Sequence, residues 1–261
     1  MTYFADETQS TETGPGRFEL TTASAWNIGT NANGGYALAP LLRAMATSVP
    51  HPDPITMTTH FLRPVQGELH TELSVDVVRT GTRVSTLRGE LAQGGKVRLI
   101  TTAAFGDLAM ASEPEWSIPA PDLRPPDECL HRSGLEQGID LPILSRCDVR
   151  IRPDLADAGS SDEAVIDGWI RLVDGEEPSV FSLPLFSDAF PPSVFPRRGF
   201  SGWVPTIELT VHVRRRPAPG WIQARFEVDD LDGGLLIESG TLWDSTGAVV
   251  ARSRQLGMLI G

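Results

Sequence analysis

Residues 33–46 read Asn33-Gly34-Gly35-Tyr36-Ala37-Leu38-Ala39-Pro40-Leu41-Leu42-Arg43-Ala44-Met45-Ala46. Only Arg43 interrupts this apolar run, and a helix that is apolar on every face is a buried helix. Asn33 can cap the helix, and the glycine pair lets another backbone or a ligand approach its free N–H groups. Plain packing is the alternative for a lone glycine pair. We predict a buried helix that ends near Val49-Pro50, and Pro40 either kinks it or delays its start by one turn.

Strand-like segments surround this helix in the sequence. They are residues 17–24, 55–61, 68–79, 84–92 and 96–105. Gln93-Gly94-Gly95 is typical of a hairpin turn between the last two. One buried helix followed by four long strands predicts an α+β module whose antiparallel sheet curls around the helix. Residues 1–16 are polar and contain Gly and Pro, so we expect a loose lead-in there.

The composition limits the classes of function. The 261 residues are 40% hydrophobic and 21% charged, as in a globular protein with room for two ordinary domains. A net charge of −12 argues against nucleic acid and anionic membrane surfaces as partners. No apolar run reaches the ~20 residues that a membrane span needs.

The cysteines, the histidines and residues 1–10 bear on the cellular compartment and on metal binding. Cys129 and Cys147 are the two cysteines and have no metal-like spacing, which fits a reducing cytoplasm. Residues 1–10 contain no basic residue, so we do not expect a signal peptide. The five histidines form no HxH or HExxH pattern, and we therefore expect no metal site.

The second half of the chain repeats the first. Residues 56–61 (Thr-Met-Thr-Thr-His-Phe) correspond to residues 208–213 (Glu-Leu-Thr-Val-His-Val), an offset of 152 from position 56 to position 208. Pro40 has its counterpart in Pro184, so a second helix is expected around Pro184. Chance likeness between β-proteins is the alternative, but the shared order of helix, proline, strand and turn favours a repeat.

The repeat predicts two tandem modules, each with a long helix wrapped by an antiparallel sheet. Residues 1–106 would form the first module and residues 147–261 the second, with the Pro-rich residues 107–146 as a linker. The two sheets would pair edge to edge, because an exposed edge on either module would be prone to aggregation. We expect four tryptophans to cover the faces of the sheet: Trp169, Trp203, Trp221 and Trp243.

A duplicated helix-in-sheet module resembles the double hot-dog fold, and the residues resemble the acyl-CoA thioesterase II family more closely. The resemblance covers roughly residues 18–106 and 165–259. The motifs that carry it are Asn33-Gly34-Gly35-Tyr36, His51-Pro52-Asp53-Pro54 with the strand up to Pro64, Pro205-Thr206-Ile207-Glu208-Leu209-Thr210, and Ser253-Arg254-Gln255-Leu256-Gly257. It implies hydrolysis of acyl-CoA to free acid and CoA, with CoA as part of the substrate and no separate cofactor.

The resemblance also implies a catalytic set. In that family an Asp, a Thr and a Gln hold the attacking water, and the matching residues here are Asp188, Thr206 and Gln255. The Asp would lie in the second module's helix, the Thr near the start of the next strand and the Gln in the last strand. This chain departs from the family where an Asp-His pair usually follows the Thr, because Glu208-Leu209 stands there. If Glu208 points inward, its charge would raise the pKa of Asp188.

The chemistry explains these residue types. A carboxylate accepts the proton of an attacking water, while hydroxyl and amide groups hold the water in place. The backbone N–H groups of Gly34 and Gly35 would stabilise the oxyanion, and Tyr36 and Glu208 are further candidate substrate contacts. Without the resemblance, an Asp188 that faces solvent or caps the following turn would be the simpler interpretation.

Two other functions stay open. One is a hot-dog protein that binds acyl chains, acyl-CoA or a partner protein without turnover. The other is a hot-dog dehydratase, which usually needs a His beside the central helix, and neither predicted helix contains one. The sequence leaves open the acyl chain length and whether the protein is a homo-oligomer.

Overall fold

The structure is a computed structural model that describes residues 2–110, 114–134, 138–199, 202 and 204–260. The first half contains helices α1 (Tyr3–Glu7) and α2 (Gly34–Thr47) and strands β1 (Thr11–Gly14), β2 (Arg17–Thr21), β3 (Asn27–Ile28), β4 (Asn31–Ala32), β5 (Asp53–Phe61), β6 (His70–Thr80), β7 (Ser85–Gln93) and β8 (Lys96–Gly106). The second half contains strands β9 (Leu130–His131), β10 (Cys147–Ile151), β11 (Val165–Leu172), β12 (Thr206–Val213), β13 (Ile222–Asp232), β14 (Leu235–Trp243) and β15 (Val249–Met258), and helices α3 (Leu183–Phe186) and α4 (Phe195–Arg198).

One antiparallel sheet joins the two halves. Within the described residues it has 13 strands in the order β1-β2-β6-β7-β8-β5-β12-β15-β14-β13-β11-β10-β9. The central pair, β5 and β12, places Thr58 opposite Thr210, its counterpart at the offset of 152, with their hydroxyls 2.9 Å apart. The strands on either side follow in mirrored order. The predicted double hot-dog fold, with sheets paired edge to edge, is therefore confirmed.

Helix α2 lies inside the curl of the first module. It packs against β5, β6, β7 and β8, and ten of its residues are buried, as its apolar sequence predicts. Asn33 caps it, since its Oδ1 accepts a hydrogen bond from the Tyr36 N–H at 2.9 Å. The helix begins at Gly34 and continues through Pro40, so its start is not delayed by a turn.

The long helix predicted for the second module is wrong. Helix α3 has four residues, with Pro184 in its first turn. Pro191 and Pro192 follow shortly after, and proline lacks an N–H donor and disfavours helical conformation in the residue before it. Asp188 therefore lies in the turn two residues after α3 rather than inside a helix.

The expectation of a loose lead-in is also wrong. Phe4 of α1 is fully buried, with its ring 5.6 Å from that of Trp26. Glu7 accepts a hydrogen bond from Trp26 Nε1 at 2.6 Å and forms an ion pair with Arg146 at 2.7 Å. Within this polar segment, the buried Phe4 ring and the Glu7 carboxylate fix α1 to Trp26 in the first half of the chain and to Arg146 in the second.

The Pro-rich stretch does more than connect the modules. Its strand β9 pairs with β10 at one edge of the sheet, and Arg132, which follows β9, is buried. The exact module boundaries stay a prediction. Of the four tryptophans, Trp243 is buried, Trp169 and Trp221 are half-buried, and Trp203 lies outside the described residues. In the part of the chain that the structure describes, no helix is long and apolar enough to cross a membrane.

Candidate active site

A cavity of about 340 Å³ lies where the start of α2 meets the second module. Its polar lining includes Asn33, Arg132, Asp188, Thr206, Glu238 and Gln255, and much of the remaining lining is apolar. The three residues predicted to hold a water, Asp188, Thr206 and Gln255, thus face the same cavity. Their catalytic roles stay a prediction.

Helix α2 holds one oxygen of the Asp188 carboxylate. Oδ2 accepts hydrogen bonds from Asn33 Nδ2 and Gly34 N at 2.9 Å each and from Gly35 N at 3.2 Å. Asn33 Nδ2 also donates to the Asp188 carbonyl oxygen at 2.7 Å. The Gly34 and Gly35 N–H groups lie in the first turn of α2, where they have no acceptor within the helix, and the start of a helix favours a negative charge. No described residue donates to Oδ1, so this oxygen can accept a proton from a water.

The environment of Asp188 shifts its titration toward neutral pH. Burial raises the pKa of Asp188 from 3.8 to about 6, and the charge of Glu238 acts in the same direction. The N–H groups of Gly35 and Gly34 and the charge of Arg132 oppose this increase. A carboxylate with a pKa near 6 is ionised at neutral pH and is a stronger base than an ordinary aspartate.

The glycine pair has a different role from the one expected. Because both N–H groups donate to Asp188, they are not free to stabilise an oxyanion. Gly34 lines the cavity, where an added Cβ would lie 2.9 Å from the Phe61 ring and 3.0 Å from Asp188 Oδ2. At Gly35 an added Cβ would lie 2.2 Å from the Pro184 carbonyl oxygen, so this glycine allows α3 to cross α2.

Tyr36 and Glu208 do not line the cavity. Tyr36 is fully buried, its ring is stacked 5.1 Å from that of Trp26, and its hydroxyl donates to the Glu7 carbonyl oxygen. Glu208 accepts a hydrogen bond from the Thr210 hydroxyl at 2.5 Å. Glu208 and Thr210 flank the buried Leu209 on β12, so their side chains lie on the other face of the sheet. The carboxylate that raises the pKa of Asp188 is Glu238, not Glu208.

A β-bulge brings Thr206 to Gln255. Strict alternation from Glu208 would place Thr206 on the outer face, but the register shifts between these two residues. A bulge adds one residue and redirects the side chain beside it. The Thr206 hydroxyl consequently donates to Gln255 Oε1 at 3.1 Å.

Sequence reasoning missed Glu238 and Arg132. Glu238 had a signal, because it is the charged member of the inward-facing series Leu236, Glu238, Gly240 and Leu242 on β14. No sequence pattern pointed to Arg132, since it lies in the aperiodic Pro-rich stretch. Its buried guanidinium donates to the Ala189 carbonyl oxygen, next to Asp188, and burial lowers its pKa to about 10.

The first module has no equivalent site. The strand register pairs Met57 with Ala103 where the second module pairs Leu209 with Gln255, so Ala103 is the counterpart of Gln255. In the same way Leu87 is the counterpart of Glu238, and the bulky Phe105 is that of the cavity-lining Gly257. The bulge recurs at the same place in β5, so the modules share a backbone plan and differ in chemistry. Among the described residues, no three His, Cys, Asp or Glu side chains are grouped so as to hold a metal ion.

Asn33→Asp should raise the pKa of Asp188 above about 6. Asp caps a helix as well as Asn does, so α2 is expected to stay intact. The change removes the Nδ2 donor and adds a like charge beside Asp188, and both effects disfavour its ionised form. Carbon-detected NMR titration of the Asp188 carboxyl measures this pKa directly. Asn31→Asp, which adds the same charge to the cavity lining away from these hydrogen bonds, is the control and should have a smaller effect.

The chain matches known proteins over most of its length. Residues 22–106 match the family described as acyl-CoA thioesterase N-terminal domain, and residues 119–259 match acyl-CoA thioesterase C-terminal domain. A solved candidate thioesterase II from Thermobifida fusca YX is 30% identical, with a TM-score of 0.90, over 100% of this chain and 98% of that chain. The chain therefore belongs to the acyl-CoA thioesterase II (TesB-like) double hot-dog family.

Two further proteins are similar to this chain at lower identity. The solved acyl-CoA thioesterase II TesB2 from Mycobacterium marinum is 18% identical, with a TM-score of 0.78, over 98% of both chains, a likeness of fold alone. An uncharacterized protein of Mycobacterium tuberculosis is 26% identical over 90% of this chain and 88% of that protein.

Proposed function

We propose that the protein hydrolyses acyl-CoA thioesters to the free acid and CoA. The observation that carries the proposal is the shared cavity of Asp188, Thr206 and Gln255. In it, one oxygen of Asp188 has no hydrogen-bond donor among the described residues, and the pKa of Asp188 is about 6. Family membership supports the thioester as the substrate. The apolar part of the cavity lining offers a place for the acyl chain.

In the proposed reaction Asp188 is the general base. Its Oδ1 takes a proton from a water whose oxygen attacks the thioester carbonyl carbon, and a tetrahedral intermediate forms. The carbon–sulfur bond of the intermediate then breaks. The proton passes from Asp188 to the leaving sulfur, so that the products are a carboxylic acid and the thiol of CoA.

Thr206 and Gln255 hold the water and the oxyanion in this reaction. The Thr206 hydroxyl uses its hydrogen on Gln255 Oε1, so its lone pairs can accept a hydrogen bond from the water. One Nε2 hydrogen of Gln255 goes to Glu238, and the second can donate to the oxygen of the attacked carbonyl. This donor replaces the glycine N–H groups that the sequence suggested. The free, buried Cys129 and Cys147 fit a reducing compartment, and we include a cytoplasmic location in the proposal.

The alternatives are less well supported by the cavity. A protein that only binds acyl-CoA gains nothing from a buried carboxylate with a raised pKa, whose ionisation carries a desolvation cost. A dehydratase usually needs a His, and none of the five histidines, all of which the structure describes, lines the cavity. Thiol release from acyl-CoAs ranging from acetyl-CoA to palmitoyl-CoA tests the proposal. Saturable binding without thiol release across the whole range would favour the binding protein.

The rate of hydrolysis should fall on the acid side of about pH 6. A general base works in its ionised form, so kcat should be half-maximal near the pKa of Asp188 and drop about tenfold per pH unit below it. The pH profile of kcat measures this, with circular dichroism at each pH to show that the fold persists. A kcat that is still maximal at pH 5 would exclude Asp188 as the base with this pKa.

A further inference from the structure

Glu238 is a buried carboxylate that the proposed reaction does not use directly. It lies on the inner face of β14, is 5% exposed and lines the cavity. One oxygen accepts hydrogen bonds from the Ser193 N–H, at 2.8 Å, and from the Ser193 hydroxyl. The other accepts from Gln255 Nε2 at 2.5 Å. Burying a charged group is costly, so a carboxylate at this position needs a reason.

The first module shows that the fold does not require a charge there. Leu87 occupies the corresponding position on β7 and is fully buried. Leucine therefore fits this place in the same backbone plan. The sheet alone does not require the charge of Glu238, whose hydrogen-bond partners are Ser193 and Gln255.

We propose that Glu238 is a positioning residue that fixes the orientation of the Gln255 amide. A primary amide can turn either its oxygen or its NH2 group toward a neighbour, whereas an ionised carboxylate only accepts hydrogen bonds. Burial raises the pKa of Glu238, and the hydrogen bonds from Ser193 and Gln255 oppose this increase. Ionised Glu238 holds Nε2 toward itself, so that Oε1 faces Thr206. The inference rests on the proposed function, because the orientation matters through the water that attacks the thioester.

The direction of these hydrogen bonds suits a water that gives its proton to Asp188. Thr206 donates to Gln255 and Gln255 donates to Glu238, so both hydrogens point away from the water. The water then donates one hydrogen to Thr206 and the other to Asp188 Oδ1, and a lone pair remains for the carbonyl carbon. With the amide reversed, Nε2 would donate to Thr206, and the threonine hydrogen would turn toward the water and engage that lone pair.

Two substitutions test the proposal. Glu238→Leu copies the first module, and Glu238→Gln keeps the shape but allows the amide to reverse. We expect kcat to fall about tenfold or more in both and KM to change less than about threefold. The melting temperature should fall in Glu238→Leu, because the buried Ser193 donors lose their acceptor, and should fall less in Glu238→Gln, whose side-chain oxygen can still accept. Full kcat in both variants would overturn the proposal, as would a loss of activity explained by unfolding alone.

The pH profile separates positioning from a purely structural role. The charged side chains in the described cavity lining are Arg63, Arg132, Asp188 and Glu238. Removing the charge of Glu238 in Glu238→Leu takes a like charge away from Asp188, so the acid limb of the residual kcat should move to lower pH. An acid limb at the wild-type pH would contradict the proposal, because it would show that Glu238 carries no charge beside Asp188 and therefore does not act as an ionised carboxylate on Gln255.

A readout without substrate keeps this inference distinct from the proposed function. The side-chain amide resonances of Gln255, identified by their absence in Gln255→Met, report the hydrogen bond to Glu238 through their chemical shift and slow exchange. Glu238→Leu should move them toward the values of a free amide. Unchanged resonances overturn the inference whether or not the enzyme turns over, and absence of thiol release by the wild-type protein counts against the hydrolase alone.

Discussion

Asp188→Asn should lower kcat by roughly 10²–10⁴-fold and leave KM nearly unchanged, because it removes the base without changing the shape of the site. The asparagine oxygen can still accept the three hydrogen bonds that α2 gives to Oδ2. Steady-state thiol release measures both constants. An Asp188→Asn variant with wild-type kcat would remove Asp188 from the mechanism.

The same substitution should not destabilise the fold at pH 8. The pKa of Asp188 is about 6 in the folded state against 3.8 without burial, so the folded protein binds this proton more tightly. The stability that protonation of Asp188 adds to the folded state is complete below pH 3.8 and is lost as the pH rises through 6. Removing the charge therefore keeps or raises the melting temperature at pH 8.

Asp53→Asn is the matched control with the opposite pattern. Asp53 is buried, 2.9 Å from Arg216 Nη2, and does not line the cavity. Neutralising it leaves the guanidinium with a weaker partner, so the melting temperature should fall while kcat is maintained. Equal losses of kcat in the two variants would show that the effect at Asp188 is not specific to its role as a base.

Gly35→Ala should destabilise the protein by about 3 kcal/mol or more, because the three atoms nearest to its added Cβ would all be backbone atoms. The nearest are the Pro184 oxygen at 2.2 Å, the Pro184 carbonyl carbon at 2.5 Å and Leu185 Cα at 2.6 Å. No side-chain rotation relieves such a contact, and α3 must move away from α2. For a chain of this length the loss corresponds to a melting temperature lower by roughly 6–12 °C.

Gly14→Ala provides the control for this effect. An added Cβ at Gly14 meets no atom within 4 Å, so its melting temperature should stay close to that of the wild-type protein. Differential scanning calorimetry of the two variants measures the contrast. Equal melting temperatures would show that the close crossing of α2 and α3 at Gly35 does not limit stability.

The architecture could be predicted because its signals are periodic and occur twice. The alternating strands and the offset of 152 residues reflect the backbone plan that the two modules share, and the apolar run capped by Asn33 marks the helix of the first module. The second helix was the exception. The repeat suggested the same length as in α2, but α3 ends at Phe186 after one turn, and Pro191 and Pro192 exclude a long continuation.

The candidate site was predictable in part, and the missing part depended on contacts between distant residues. Asp188, Thr206 and Gln255 came from the family resemblance, and the structure places them in one cavity. That Gly34 and Gly35 hold Asp188 instead of an oxyanion follows from how α2 meets the second module, which no local pattern encodes. The turn of Thr206 toward Gln255 depends on a bulge, which the alternation of side chains does not reveal.

A single-turnover experiment in H₂¹⁸O, with the enzyme in excess over acyl-CoA, tests most directly that Asp188 activates a water. We expect the acid released in the first turnover to carry one ¹⁸O atom and no acyl group to remain on the protein. First-turnover acid without ¹⁸O would contradict it, because the new oxygen would then come from the Asp188 carboxylate acting as a nucleophile. Failure to release any acid would contradict the proposed hydrolysis itself.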